Sequence, residues 1–118
     1  MTLALVTVAG AAGVAARYGL SSAFDESAFP WVTVAINVVG SFLLGALVVF
    51  TGLSAEMRAA LGAGLLGGFT TFSTFSVQAV LDVDAGRPGR ALAYVAASVG
   101  GGLAAATLGY VGARAIHE

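Results

Sequence analysis

The chain has no cysteine, a single histidine, two prolines and only 9% charged residues in 118. Without cysteine there is no disulfide framework and no thiol chemistry, so redox usage says nothing of the compartment. The lone histidine, His117, stands at the carboxyl end, and no cluster of acids, histidines or cysteines offers a constellation for acid–base or metal chemistry. An enzyme is therefore disfavoured. Lysine is absent as well: all five basic residues are arginines, and no nucleic-acid partner is expected.

What remains is apolar. Hydrophobic residues make up 58% of the chain and mean hydropathy is +0.96, far above a soluble domain of this size. Four stretches are nearly free of charge: 2–24, 30–51, 59–81 and 91–113. Each has the roughly 20 residues needed to cross about 30 Å of hydrocarbon as a helix. Only Arg17 interrupts one of them. The first stretch lacks a basic start and reads as a span rather than a cleaved leader. Short links join the stretches, so the chain is expected to be an all-α protein of four transmembrane helices, embedded in lipid, with both termini on one side.

Charge and glycine bear on assembly. Arg58 and Arg114 fall on the side of the termini; Arg87, Arg90 and nearby Arg17 fall on the other. Topology follows arginine and lysine bias in short loops, and two against two or three is almost none. Either a few residues fix one orientation, or the chain inserts both ways and works as an antiparallel two-fold pair; the second reading is preferred. Seventeen glycines, most within spans, favour close helix approach, with Gly64 and Gly68 forming one small-residue face. So much close packing in four helices also points towards dimerisation.

Polar residues inside the spans are the candidate site. Gly67-Gly68-Phe69-Thr70-Thr71-Phe72-Ser73-Thr74-Phe75-Ser76 sets two glycines, five hydroxyls and three phenylalanines in an uncharged span. Glycine and threonine weaken the helix there, and freed backbone groups at mid-membrane need protein or water partners. Unwound carbonyls at that depth suit a bare cation such as sodium. Phe72 and Phe75 share a helical face; they are packing residues, or present electropositive ring edges to a small anion. Thr33, Asn37 and Ser41 form a ladder at spacing four on the second span, in which Asn37 is either an interhelical clasp or a pore-lining donor. Tyr94 and Ser98 form a second ladder whose next rung is Gly102.

The ten-residue run, Gly10-xx-Gly13-xxx-Arg17-Tyr18, and Pro30-xx-Thr33-xxx-Asn37-xx-Gly40-Ser41-Phe42-xx-Gly45 together resemble the CrcB family, also called Fluc fluoride channels. The resemblance covers essentially the whole chain in length, span number and motif order. It implies an antiparallel dual-topology dimer in the cytoplasmic membrane, with a broken third helix and two fluoride pathways. Passive export of fluoride would lower its toxicity. The resemblance implies a central sodium ion on the main-chain carbonyls of Gly67 and Thr70 of each copy. It assigns the pathway to Asn37, Phe72, Phe75, Thr33, Tyr94 and Ser98, to which the polar ladders add Ser41 and third-helix hydroxyls such as Ser73 or Thr74. Arg17 resembles the family's vestibule arginine, though snorkelling to headgroups explains it equally. A family serine is Gly102 here, which leaves open a partner-dependent or non-conducting subunit paired with a paralogous chain. A proton-coupled small multidrug exporter is rejected: Asp25, Glu26, Glu56, Asp82, Asp84 and Glu118 all stand at span ends or in links.

Overall fold

A computed structural model describes residues 1–24 and 29–117. Asp25, Glu26 and Glu118 lie outside the described residues. Among the described residues every regular element is helical: α1 (Thr2–Ala23), α2 (Trp31–Leu47), α3 (55–69), α4 (Phe72–Asp84) and α5 (Pro88–His117). By length and apolarity α1, the run Ala55–Asp84 and α5 are long enough to cross a membrane, and α2 is a shorter apolar helix of 17 residues. The protein is thus an all-α membrane protein of four helical segments, the third split into α3 and α4.

Local chemistry sets the ends. Helix α2 stops at Leu47 rather than continuing towards Thr51, because Arg58 donates to the carbonyls of Leu47 and Phe50 and holds the turn there. Leu47 ends the helix and Phe50 lies in the turn after it, and a guanidinium is a good partner for carbonyls at a helix C-terminus. Ser54 caps α3 by accepting the Met57 amide at 3.1 Å. Pro88 opens α5, where its missing N–H costs nothing. Gly86, at φ 80°, makes the turn between α4 and α5.

That turn also carries an ion cluster. Asp82 was expected at a span end, and it lies in the last turn of α4, only 6% exposed. Arg90 donates to it at 3.2 Å and Arg87 stands 3.5 Å away, so the buried carboxylate is matched by two cations.

Packing pairs the helices. Helix α1 lies along α3, α2 lies along α5, and α4 leans on α5; α2 and α3 touch only lightly. The close approaches use glycine. A Cβ at Gly45 would fall on the Ala106 carbonyl, one at Gly109 on the Phe42 carbonyl, and one at Gly13 on the Leu65 carbonyl. Gly64 and Gly68 do share a face, and it is turned to Val6 and Gly10 of α1. These glycines therefore serve helix contacts within one chain, and the expectation that they point towards dimerisation loses their support.

The same contacts make a sharp comparison. Gly45→Ala and Gly109→Ala force helix backbones apart and are expected to cost about 1–3 kcal/mol each. Nothing lies within 4 Å of a Cβ at Gly112, so Gly112→Ala should not lower the melting temperature in detergent, and alanine's better helix propensity, about 0.5–1 kcal/mol, should raise it slightly. Equal melting of all three variants would contradict the packing described.

Candidate functional site

The light contact between α2 and α3 leaves a groove, and some of the sequence-selected residues meet there. A cavity of about 390 Å³ is lined by Asn37, Ser41, Gly67, Thr70, Phe72, Phe75, Ser98 and Gly102, with Leu44, Leu66 and Leu103 among its apolar neighbours. Four helices contribute: α2, α3, α4 and α5.

The break between α3 and α4 organises this groove. A seven-residue π-helix, Ala60–Leu66, leads into it, followed by one α-turn, Gly67–Phe69. Thr70 and Thr71 are then extended, with ψ of 160° and 121°. Two side chains complete what the helix gives up. The Thr71 amide donates to Asn37 Oδ1 at 2.8 Å, and Asn37 Nδ2 donates to the Thr71 carbonyl at 3.0 Å. Asn37 thereby satisfies both backbone groups of one unwound residue, which makes the interhelical clasp real. Thr71 Oγ1 accepts the Thr74 amide at 3.2 Å and caps α4, while Thr70 Oγ1 donates back to the Leu66 carbonyl at 3.0 Å.

Arg17 is placed in a way that neither sequence reading anticipated. Its Nε donates to the Gly68 carbonyl at 3.1 Å, and the side chain is half-buried. A cation on α1 thus holds the carbonyl end of α3, where the helix dipole favours positive charge.

The remaining residues divide by position. Phe75 is buried at 8% exposure, whereas the Phe72 ring is 78% exposed, with 5.8 Å between the two ring centroids. Tyr94 is fully buried; its ring lies 5.1 Å from Phe75 and edge-on to Phe29 at 5.8 Å. Thr33 is buried, but neither it nor Tyr94 lines the cavity. Ser73 and Thr74 are exposed and do not line it either; Thr74 Oγ1 is instead bonded to Thr71 Oγ1. Ser98 does line it, and its hydroxyl is buried with no hydrogen-bond partner among the described residues.

Gln78 was not singled out from the sequence. The Tyr94 hydroxyl donates to its Oε1, joining α4 to α5 beside the Phe75 ring. The available signal was its place three residues after Phe75, as the one side-chain amide of an otherwise uncharged span.

Two carbonyls at the break are left for other partners. Gly67 would ordinarily accept from the Thr71 amide, which is turned to Asn37. Thr70 would accept from the Thr74 amide, which is turned to Thr71 Oγ1. Neutral carbonyl oxygens of this kind suit a hard monovalent cation. Gly67 and Thr70 are thus the residues whose carbonyls could hold a monovalent cation such as sodium.

The fold and site define a small polytopic membrane protein whose third segment is broken beside a groove of amide, hydroxyl and phenyl groups. Residues 4–110 match the family model for CrcB-like protein, Camphor Resistance (CrcB). The chain is 43% identical to the fluoride-specific ion channel FluC of Chelativorans sp. strain BNC1, covering 97% of each. It is 42% identical to a protein so named in Thermus thermophilus, covering 90% of each, and 45% identical to that of Rhodospirillum centenum, covering 79% of each. The chain belongs to the CrcB family.

The pair of hydrogen bonds between Asn37 and Thr71 gives a direct test. Asn37→Ala should raise amide exchange at Thr71 by about tenfold or more, the loss of one buried hydrogen bond being worth roughly 1–3 kcal/mol. Asn37→Asp keeps the acceptor for that amide and should preserve most of its protection. An alanine variant as protected as the native chain would show that the clasp does not hold the break.

Proposed function

We propose that this protein is a passive, fluoride-selective channel of the cytoplasmic membrane that lets fluoride leave the cell and so limits its toxicity. Support comes from family membership, from relatives named as fluoride-specific channels over nearly their whole length, and from the groove itself. The observation that carries the reading is that groove: hydroxyl, amide and ring-edge groups line it, with no fixed acid or base among its lining residues.

The physical scheme follows from replacing water. A dehydrated fluoride needs donors close at hand, yet a full positive charge would hold it too long for conduction. The hydroxyls of Ser98 and Ser41 and the Asn37 amide supply donors, and the edges of Phe72 and Phe75 supply weak positive potential. Thr33 and Tyr94 lie buried behind this track, where they orient rather than line it; Ser73 and Thr74 remain candidates for a neighbouring copy to cover. No group in the lining can carry a coupled proton, which fits electrodiffusion rather than exchange.

The working unit in this reading is an antiparallel pair of chains in the bilayer. The 78% exposed Phe72 and the exposed Gly67 favour it, because an open polar break facing lipid is costly. A sodium ion at the shared axis would be held by the Gly67 and Thr70 carbonyls. When bound, it supplies fixed positive charge that satisfies carbonyls the helix break has freed. The alternative, a subunit that conducts only with a paralogous partner, is favoured by one feature, the absence of a side chain at Gly102.

Efflux of fluoride from liposomes holding the purified chain tests this. Phe72→Ile and Phe75→Ile should each slow efflux by about tenfold, equivalent to one lost ring-edge interaction of roughly 1.4 kcal/mol, with the oligomer intact on size exclusion. Chloride should not pass through any variant. Native-rate efflux from both variants would remove the ring edges from the mechanism, and an inert native chain would remove self-sufficient conduction.

A further inference from the structure

Asp82 is the one buried charged side chain among the described residues, and the groove makes no use of it. An acid in the last turn of α4 opposes the helix dipole, so the stability of α4 alone does not account for it. Its partners lie across the turn: Arg90 in the first turn of α5 at 3.2 Å, and Arg87 at 3.5 Å. The Arg87 amide also donates to the Asp82 carbonyl at 2.8 Å, closing the turn around Gly86.

A second polar contact follows in the same register. Gln78 stands four residues back along α4, Tyr94 stands four residues on along α5, and the Tyr94 hydroxyl donates to Gln78 Oε1. Residues four apart share a helix face, so two rungs at matched spacing on antiparallel helices admit one sliding position. Apolar contact alone specifies register less sharply. The register matters because α4 rests chiefly on α5. Phe75 lies one turn from Gln78, with its ring 5.1 Å from Tyr94, and Phe72 lies one turn nearer the break.

We propose that Asp82 and Arg90 are positioning residues: with the Gln78–Tyr94 rung they lock the register of α4 on α5, and so fix where the Phe75 and Phe72 rings stand. The consequence for conduction rests on the channel reading above, while the register is a property of the fold. A buried ion pair is a poor source of stability, because desolvation offsets the attraction, and setting register is the best-attested use of such groups. Apolar side chains of similar volume would hold α4 to α5 as firmly and leave it free to slide.

That difference is the test. The full chain, carrying 4-fluorophenylalanine at position 75, is followed by fluorine NMR in detergent, and the unlabelled chain by fluoride efflux from liposomes. The double variant Asp82→Leu with Arg90→Met should melt close to the native temperature. Its fluorine resonance should broaden or split as the ring takes more than one position, and efflux should slow by about tenfold, as for a ring edge lost from its place. Asp82→Glu keeps the ion pair and should keep one sharp resonance and near-native efflux. A single native resonance in the double variant would overturn the register role, as would native-rate efflux from a variant whose resonance has split. A double variant that melts far below native, or does not fold, would make the pair a stabilising one and overturn it too. If the native chain passes no fluoride the channel reading fails, and the fluorine spectra still decide the register.

Discussion

A peptide group freed from a helix in hydrocarbon must be bonded again by protein, and the break at Thr70–Thr71 is where this constraint presses hardest. Two helices are tied to it. Asn37 reaches from α2 to bond both the amide and the carbonyl of Thr71, and Arg17 reaches from α1 to the Gly68 carbonyl. The positions of α1 and α2 are thus fixed by the unwound residues as much as by apolar packing. Close glycine contacts between α1 and α3 follow from the same requirement: Arg17 reaches Gly68 because Gly10 and Gly13 let the two backbones meet. The groove is what remains when α1–α3 and α2–α5 are held as pairs with the break between them.

The bonding at the break also sorts charge. No residue lining the groove is ionisable, so it presents donors without a strong fixed charge, while Arg17 beside it donates to the Gly68 carbonyl. At the far end of α4 charge is likewise matched, with Asp82 held by Arg87 and Arg90. In the proposed channel an ion would meet dipoles, hydroxyls and ring edges, each worth about 1 kcal/mol, rather than one deep well. Shallow binding at several places is what passive conduction requires.

Much of this was legible in the residues. Hydropathy alone marked out four spans, and Gly67-Gly68 with Thr70-Thr71 marked the third as the one that breaks. The ladder at spacing four set Asn37 and Ser41 on one face, and both line the cavity, as does Phe75. What spacing supplies is a shared face, and it does not say which neighbour the face meets. Hence Thr33 and Tyr94 proved buried behind the lining, and Ser73 and Thr74 turned out of it. Arg17 bonding a residue 51 positions away and Arg58 ending α2 at Leu47 are long-range facts without any periodic signature. The π-helix before the break was hidden for another reason: Ala60–Leu66 reads as ordinary helix, because propensity does not separate the two hydrogen-bond patterns.

One protomer leaves the arrangement open on a side that lipid cannot close. Phe72 is 78% exposed and Gly67 is exposed near it, at the point where the chain is unwound. A phenyl ring would be content in acyl chains, but the Gly67 and Thr70 carbonyls, whose usual amide donors are bonded elsewhere, would not. Water at that depth would solve the backbone problem and ruin selectivity, since a hydrated groove gives a dehydrated ion no advantage. In the proposed pair a second copy would solve both at once, covering the ring and bringing its own pair of carbonyls to a shared cation. Gly13, Gly45, Gly64, Gly68 and Gly109 do not argue for that copy, because each meets another helix of the same chain. The open break does.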